Sequence, residues 1–261
     1  MTSVDQCSVF DDADIKASND SNLYTKKSLG IILISPDLNK ILLVKKRYTY
    51  AFDEFIHGRY NKDNSLQMMK MFNSMTLEEK LVIRSLNYDY MWFHKHLSDG
   101  KTEHYYKGLM KFSNNYLKKG NDKDLLDIID STSYSSSTVY EFPKGRKKNK
   151  NEPNIITAIR EVKEETSISE NSYRILPHIK RTTVDIDDGV RYLCVYYIAI
   201  AYELCPCQIK IDKTDQCFEV SEADWYTLDE VKKICNNTKI YEIASNVISC
   251  IKKDKRVFSD Y

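Results

Sequence analysis

The sequence predicts an α/β domain interrupted by a helical one. Three observations carry that reading. Two β-branched apolar runs near the start flank a short turn. A long stretch after them lacks strand-like runs and spaces its apolar residues as a helix does. Beyond that stretch, strand-like and helix-like segments alternate again. The predicted domains are residues 1–50 plus 131–261, with 51–130 as a helical insertion.

The elements follow in order. Residues 1–27 are polar and without period, a flexible lead-in. Ser28–Ser35 and Ile41–Arg47 flank Pro36-Asp37-Leu38-Asn39-Lys40 and read as a hairpin. In the insertion, MMKMFNSMT, EEKLVIRSL and DKDLLDIID show helical spacing, and Thr76 with Glu79 forms a capping-box pattern. Ser131–Ser137 reads as a flexible seam and Ser137–Glu141 as a strand. Residues 152–166 read as a helix. Strands are predicted near 173–184 and 190–204, the second after an Asp187-Asp188-Gly189 turn, and helices over 227–236 and 239–252.

Composition excludes several classes. The 261 residues include 7 Gly and 5 Pro, where average usage gives about 18 and about 13. Collagen-like and Pro/Gly-rich disordered chains are excluded, and a sandwich with a turn about every 8–12 residues is disfavoured. Charges balance to +1, so no global basic field points to nucleic acid. Seven Cys without a CxxC pair, and a polar start without a secretory signal, predict free thiols in a reducing cytosol. Cys205-Pro206-Cys207 reads as ordinary buried or half-exposed cysteine. The longest apolar run, Tyr192 to Tyr202, falls short of the ~18 residues needed to span a bilayer.

The most informative segment is Gly145–Ile168, GRKKNKNEPNIITAIREVKEETSI. On a helix entered at Pro153, Ile155, Ile156, Ile159 and Val162 form an apolar face, and Glu161, Glu164 and Glu165 fall on the opposite side within about 100°. Carboxylates at i, i+3 and i+4 repel one another, and a hard divalent cation relieves that repulsion. A plain solvated acidic face is the competing reading. Upstream, Lys144, Arg146, Lys147, Lys148 and Lys150 form a basic loop after Phe142-Pro143. A basic loop beside an acidic metal face suits a phosphate substrate with bound Mg²⁺.

This segment resembles the Nudix box, Gly-x5-Glu-x7-Arg-Glu-U-x-Glu-Glu-x-Gly-U, where U is apolar. Glu152, Arg160, Glu161, Glu164 and Glu165 fall at matching spacing, with Val162 and Ile168 in apolar places. Two departures stand out. The loop after Gly145 carries one extra residue, which shifts the Gly145 carbonyl relative to a metal. Ser167 stands where the family has Gly. A second resemblance lies in Leu43–His57 (LVKKRYTYAFDEFIH), Met69–Asn73, Met75-Thr76, Asn87–Asp89, Met91-Trp92, Glu141–Gly145 and Ile175-Leu176-Pro177. These strings are similar to the mRNA-decapping Nudix hydrolases of large DNA viruses, closest to the African swine fever virus type, with the poxvirus enzymes more distant.

The resemblance implies an α/β/α Nudix sandwich with a mixed sheet and a helical insertion after the first hairpin. It implies cleavage of the 5′ cap of mRNA, releasing 7-methyl-GDP and 5′-monophosphate RNA, by a viral protein in the host cytoplasm. Mg²⁺ or Mn²⁺ would be held by Glu161, Glu164 and Glu165, with Glu152, the Gly145 carbonyl and Glu219 contributing. Glu161, Glu164, Glu165 and Glu219 are thereby the catalytic candidates. Glu219 is picked from the string Glu219-Val220-Ser221-Glu222-Ala223-Asp224-Trp225, and a surface Glu is the competing reading. Arg160 is implied to hold the box by pairing with Glu152, off the acidic arc.

Lys144, beside the box Gly, and Arg47, at the end of the hairpin, are candidate phosphate contacts; a solvated Lys and a structural ion pair compete. Lys101, Lys107, Lys111, Lys118 and Lys119, interleaved with His104, Tyr105, Tyr106, Phe112 and Tyr116, are candidate RNA contacts. A charged surface over an aromatic core competes equally. Trp92 is expected to pack within the insertion. The alternative functions are hydrolysis of a diphosphoinositol or dinucleoside polyphosphate, and RNA binding with a vestigial box. Oligomeric state is open.

Overall fold

The computed structural model describes residues 24–98, 100–118, 122–135, 137–187, 190–209, 219–235 and 238–254. The predicted lead-in up to residue 23, the Asp188-Gly189 turn and Lys119 lie outside them. The described residues fall into two compact units. One holds those within 24–44, 140–209 and 222–254; the other holds those within 45–139 and 219–221.

The first unit is built on a mixed sheet. Its strands are β1 (Tyr24–Ile34), β2 (Lys40–Lys46), β3 (Tyr140–Glu141), β4 (Lys144–Gly145), β5 (Tyr173–Asp187), β6 (Val190–Ala201) and β7 (Val220–Thr227). The main order is β3-β2-β1-β6-β5, with β4 pairing β1 and β7 pairing β2. β1 and β6 run parallel from Tyr24↔Val190 to Ile34↔Ile200. The hairpin partner β2 is antiparallel to β1. Strand pairing starts at Tyr24, so residues 24–27 are ladder and not lead-in.

Alternation along β1 sorts its apolar residues to two faces. Leu29, Ile31 and Leu33 pack with Ala158 and Val162 of helix α7 (Asn154–Thr166). Ile32 and Ile34 pack with Val231 of α8 (Leu228–Ile234) and with Ile240, Ile243, Ala244, Val247, Ile248 and Ile251 of α9 (Thr238–Lys253). The result is helix, sheet, helix. The numbers α1 to α6 belong to the other unit.

Local chemistry explains several boundaries. Pro153 is the N-cap of α7, one position outside the helix, and not a first-turn residue. The helix ends at Ser167, which adopts φ 62° and ψ 7°. A residue with a Cβ pays about 1 kcal/mol in that left-handed conformation. The Ser167 hydroxyl offsets part of it by donating to the Gln208 carbonyl at 2.6 Å. The expected strand over Ser137–Glu141 shrinks to Tyr140–Glu141.

The second unit is helical: α1 (Tyr50–Ile56), α2 (Ser65–Ser74), α3 (Leu77–Arg84), α4 (Tyr88–His96), α5 (Glu103–Phe112), a π-helical turn over Ser113–Leu117, and α6 (Asp122–Ser131). Thr76 and Glu79 form the expected capping box on α3. Trp92 is buried in an aromatic core with Phe52, Phe55, Tyr60, Phe72, Tyr88, Tyr105, Phe112 and Tyr116. Phe55 and Tyr60 stack at 4.9 Å between centroids. The Ser-rich seam is pinned. Lys80 Nζ donates to the Thr132 carbonyl at 3.0 Å and to the Ser133 carbonyl at 2.6 Å, and Ser135 N donates to the Met75 carbonyl at 2.7 Å. Among the described residues no helix is long and apolar enough to cross a membrane.

Candidate active site

The site in the first unit is a loop laid against a helix. Two glycines permit the close approach. A Cβ at Gly30, in the middle of β1, would overlap the Pro143 carbonyl and Lys144. Its absence lets β4 lie antiparallel on β1, with Gly30 opposite Lys144 and Leu29 opposite Gly145. A Cβ at Gly145 would overlap the Glu161 carboxylate. The loop backbone therefore touches a helix carboxylate directly.

The buried face of α7 differs from the expected one. Glu161 and Glu165 are each 6% exposed, beside Ala158 and Val162, whereas Ile156 is 48% exposed. Positions 158, 161, 162 and 165 fall within one stripe of the 3.6-residue repeat, so carboxylates and apolar residues share the side that meets β1 and β4. The carboxylates are affordable there because donors meet them. Lys144 N donates to Glu165 Oε2 at 3.1 Å.

Arg160 lies at the centre of the cluster. Nε donates to Glu152 Oε1 at 2.9 Å, and Nη1 donates to Glu161 Oε1 and Glu164 Oε2, both at 2.7 Å. Nη2 donates to the Arg146 carbonyl at 2.8 Å. The pairing with Glu152 is present, and although position 160 lies off the acidic arc its side chain also reaches the arc. Its long side chain turns back over Glu161 and Glu164, where a planar guanidinium serves several carboxylates at once. Lys148 adds an ion pair to Glu164 at 2.8 Å, and its amide donates to Glu152 Oε2 at 2.7 Å.

These contacts set the protonation states. Hydrogen bonds from the Arg160 guanidinium and the Lys148 amide hold the Glu152 carboxyl down at about 2. Burial works against the Arg160 charge, but hydrogen bonds to Glu152 and Glu164 and the Glu161 charge outweigh it and raise its pKa. Lys144 directs its ammonium to Glu141 Oε2 at 2.6 Å, so its amide and its side chain both serve carboxylates.

The donor set consists of hard oxygens: the carboxylates of Glu152, Glu161, Glu164 and Glu165, with the Gly145 carbonyl in the adjoining loop. That chemistry, and a backbone approach only glycine allows, suit Mg²⁺ or Mn²⁺. Among the described residues no three His, Cys, Asp or Glu converge in ligand geometry. Three of these carboxylates turn to Arg160 instead.

The remaining candidates lie in the helical unit. Glu219 Oε2 pairs with Lys46 Nζ at 3.1 Å, and the Glu219 carbonyl accepts from Arg47 N at 2.8 Å. Lys101 pairs with Asp89 at 2.9 Å, and Lys111 Nζ donates to the Tyr60 carbonyl. Lys118 donates to Asn114 Oδ1 at 2.7 Å. Lys107 is exposed on α5 beside exposed Tyr106 and His104, while Tyr105, Phe112 and Tyr116 are interior. Sequence reasoning missed Gly30, Glu141 and the pivotal place of Arg160. A glycine inside an apolar strand was the available signal for the first. The other two had none, since they depend on side-chain reach.

The NUDIX domain family matches residues 122–247. The mRNA-decapping protein g5R of one African swine fever virus isolate is 33% identical over 226 residues, covering 84% of this chain and 92% of that protein. The g5R protein of another isolate is 34% identical over 220 residues, covering 81% and 89%. Among solved structures, a C. elegans Ap4A hydrolase binary complex aligns with a TM-score of 0.46 at 12% identity, covering 87% of this chain and 98% of that one.

Proposed function

This chain belongs to the Nudix hydrolase family, and from that premise we propose that it hydrolyses the 5′ cap of mRNA. The observation that carries the reading is the box itself. Gly145 lies against Glu161, the Lys144 amide holds Glu165, and Glu152 and Glu164 are gathered by Arg160. The kinship with viral proteins named for decapping selects the substrate.

Mg²⁺ or Mn²⁺, held by Glu161, Glu164 and Glu165 with Glu152 and the Gly145 carbonyl, would neutralise phosphate charge and acidify a water. The chain's own groups do the rest. Arg160 keeps Glu152 ionised and holds Glu161 and Glu164 in place. The Lys144 amide orients Glu165, and Glu141 ties the Lys144 ammonium to the loop. The lysines of that loop offer charge to the phosphate bridge. Water oxygen bonds to one phosphorus of the bridge as its P–O bond breaks. The products are 7-methyl-GDP and 5′-monophosphate RNA, and a carboxylate takes the water's proton. RNA contact falls to Lys107, Lys118, Tyr106 and His104 on the helical unit, and the substrate places the enzyme in the host cytoplasm.

Cap-labelled RNA incubated with the protein and Mg²⁺ or Mn²⁺ tests this. Release of 7-methyl-GDP is expected. Turnover of diphosphoinositol or dinucleoside polyphosphates with no cap product contradicts it.

A further inference from the structure

Both oxygens of Glu164 already meet a cation. Oε2 accepts from Arg160 Nη1 at 2.7 Å, and Oε1 accepts from Lys148 Nζ at 2.8 Å. A divalent cation that takes Glu164 as a ligand therefore replaces one of these donors. The two differ in how firmly they are held.

Arg160 is the fixed one. Its side chain is 15% exposed, and its guanidinium also serves Glu152, Glu161 and the Arg146 carbonyl. Lys148 is the movable one. Its side chain is 55% exposed, and its ammonium joins the box through the Glu164 pair. Exposed ion pairs of this kind are weak, because water competes for both partners. The Lys148 backbone is anchored all the same. Its amide donates to Glu152 Oε2 at 2.7 Å, and the Glu152 amide donates to the Asn149 carbonyl at 3.2 Å. The ammonium therefore swings on a flexible four-carbon stem about a fixed point. The loop that supplies this pivot, between Gly145 and Glu152, is one residue longer than the Nudix pattern.

We propose that Lys148 couples metal binding to phosphate binding by changing partners. It leaves Glu164 as a divalent cation takes that carboxylate, and it turns its ammonium to the phosphate bridge of the substrate. On Glu164 the ammonium competes with the metal for an oxygen. On the phosphate it adds a charge-assisted hydrogen bond. The same charge thus opposes the metal alone and favours the metal together with a diphosphate. By linkage, the diphosphate tightens metal binding by the factor by which the metal tightens the diphosphate. The proposal rests on the divalent-cation reading of the box and not on the identity of the cap.

Two titrations of the full-length protein test this. The first uses Mn²⁺ alone and is followed by electron paramagnetic resonance. The second uses methylenediphosphonate, a non-hydrolysable diphosphate, in saturating Mn²⁺ and is followed by calorimetry. Lys148→Gln should bind Mn²⁺ about threefold more tightly than wild type and methylenediphosphonate about threefold more weakly, the scale of one exposed ion pair. Lys148→Arg keeps the charge and should return both affinities toward wild type. Lys163→Gln removes an exposed charge next to Glu164 in the chain and should leave Mn²⁺ binding at the wild-type value. These side chains are exposed, so circular dichroism of the variants should match wild type. A lysine that merely holds the loop would, when lost, weaken both ligands or neither, and either result overturns the proposal. So does an equal gain in Mn²⁺ affinity from Lys163→Gln. Those results leave the decapping reading in place. Absence of 7-methyl-GDP from cap-labelled RNA overturns the decapping reading and leaves this one standing, since neither titration uses a cap.

Discussion

Both units bury carboxylates, and they satisfy them in opposite ways. In the helical unit Glu79 is 2% exposed, and neutral donors meet its carboxylate. Thr49 N donates at 2.6 Å, Thr49 Oγ1 at 2.8 Å and Thr76 N at 2.8 Å. Burial nonetheless pushes its pKa up. In the sheet unit, Glu152, Glu161 and Glu164 share one guanidinium. Backbone and hydroxyl donors tie a carboxylate into the fold permanently. A shared cation leaves carboxylate oxygens that a second cation can use. The first arrangement builds a cap; the second is the one chemistry needs.

Removing the shared cation should break the contrast most severely. Arg160→Ala leaves adjacent half-buried carboxylates facing one another, and a loss of about 3–5 kcal/mol is expected from breaking a buried pair. Thermal melting should show the drop, and Mn²⁺ should raise the melting temperature of the variant more than that of wild type. An unchanged melt would mean that the carboxylates do not depend on Arg160.

Glu79→Ala should cost less, on the order of 2 kcal/mol, since it strands buried neutral donors without exposing like charges. Added Mn²⁺ should not restore any of it. Recovery by metal would erase the distinction drawn between the two units.

How much of this was legible in the sequence depended on whether a pattern was local. The hairpin, the long strands and α9 follow from period-2 and period-3.6 repeats, and the Thr76–Glu79 cap from a four-residue motif. Helices α4 and α5 escaped. YDYMWFHKH and EHYYKGLMKF are rich in rings that bury on more than one side, which blurs the helical period. Strand β7, VSEADWYT, reads as an acidic loop because only Val220 and Trp225 are buried. The box spacing placed the glutamates on one helix. It did not place Glu161 and Glu165 on the buried side, because that depends on Gly30 and Gly145 letting β4 in.

The smallest effect sharpens the comparison through pH. Glu152 titrates at about 2 in the folded state, below its ordinary 4.5. A depressed carboxylate adds stability that is present above the ordinary value and lost as pH falls toward the folded one. Stability of wild type should therefore decline between pH 4.5 and about 2 more steeply than that of Glu152→Gln in denaturant melts. Parallel curves would remove Glu152 from the ionic cluster.

The central claim is that the carboxylates around Arg160 form a divalent-cation site. Electron paramagnetic resonance of Mn²⁺ titrated into the full-length protein tests it most directly. Wild type should bind Mn²⁺, and Glu164→Gln with Glu165→Gln should weaken that binding by at least about tenfold while keeping the wild-type circular dichroism spectrum. Equal Mn²⁺ binding by the two proteins would contradict the claim.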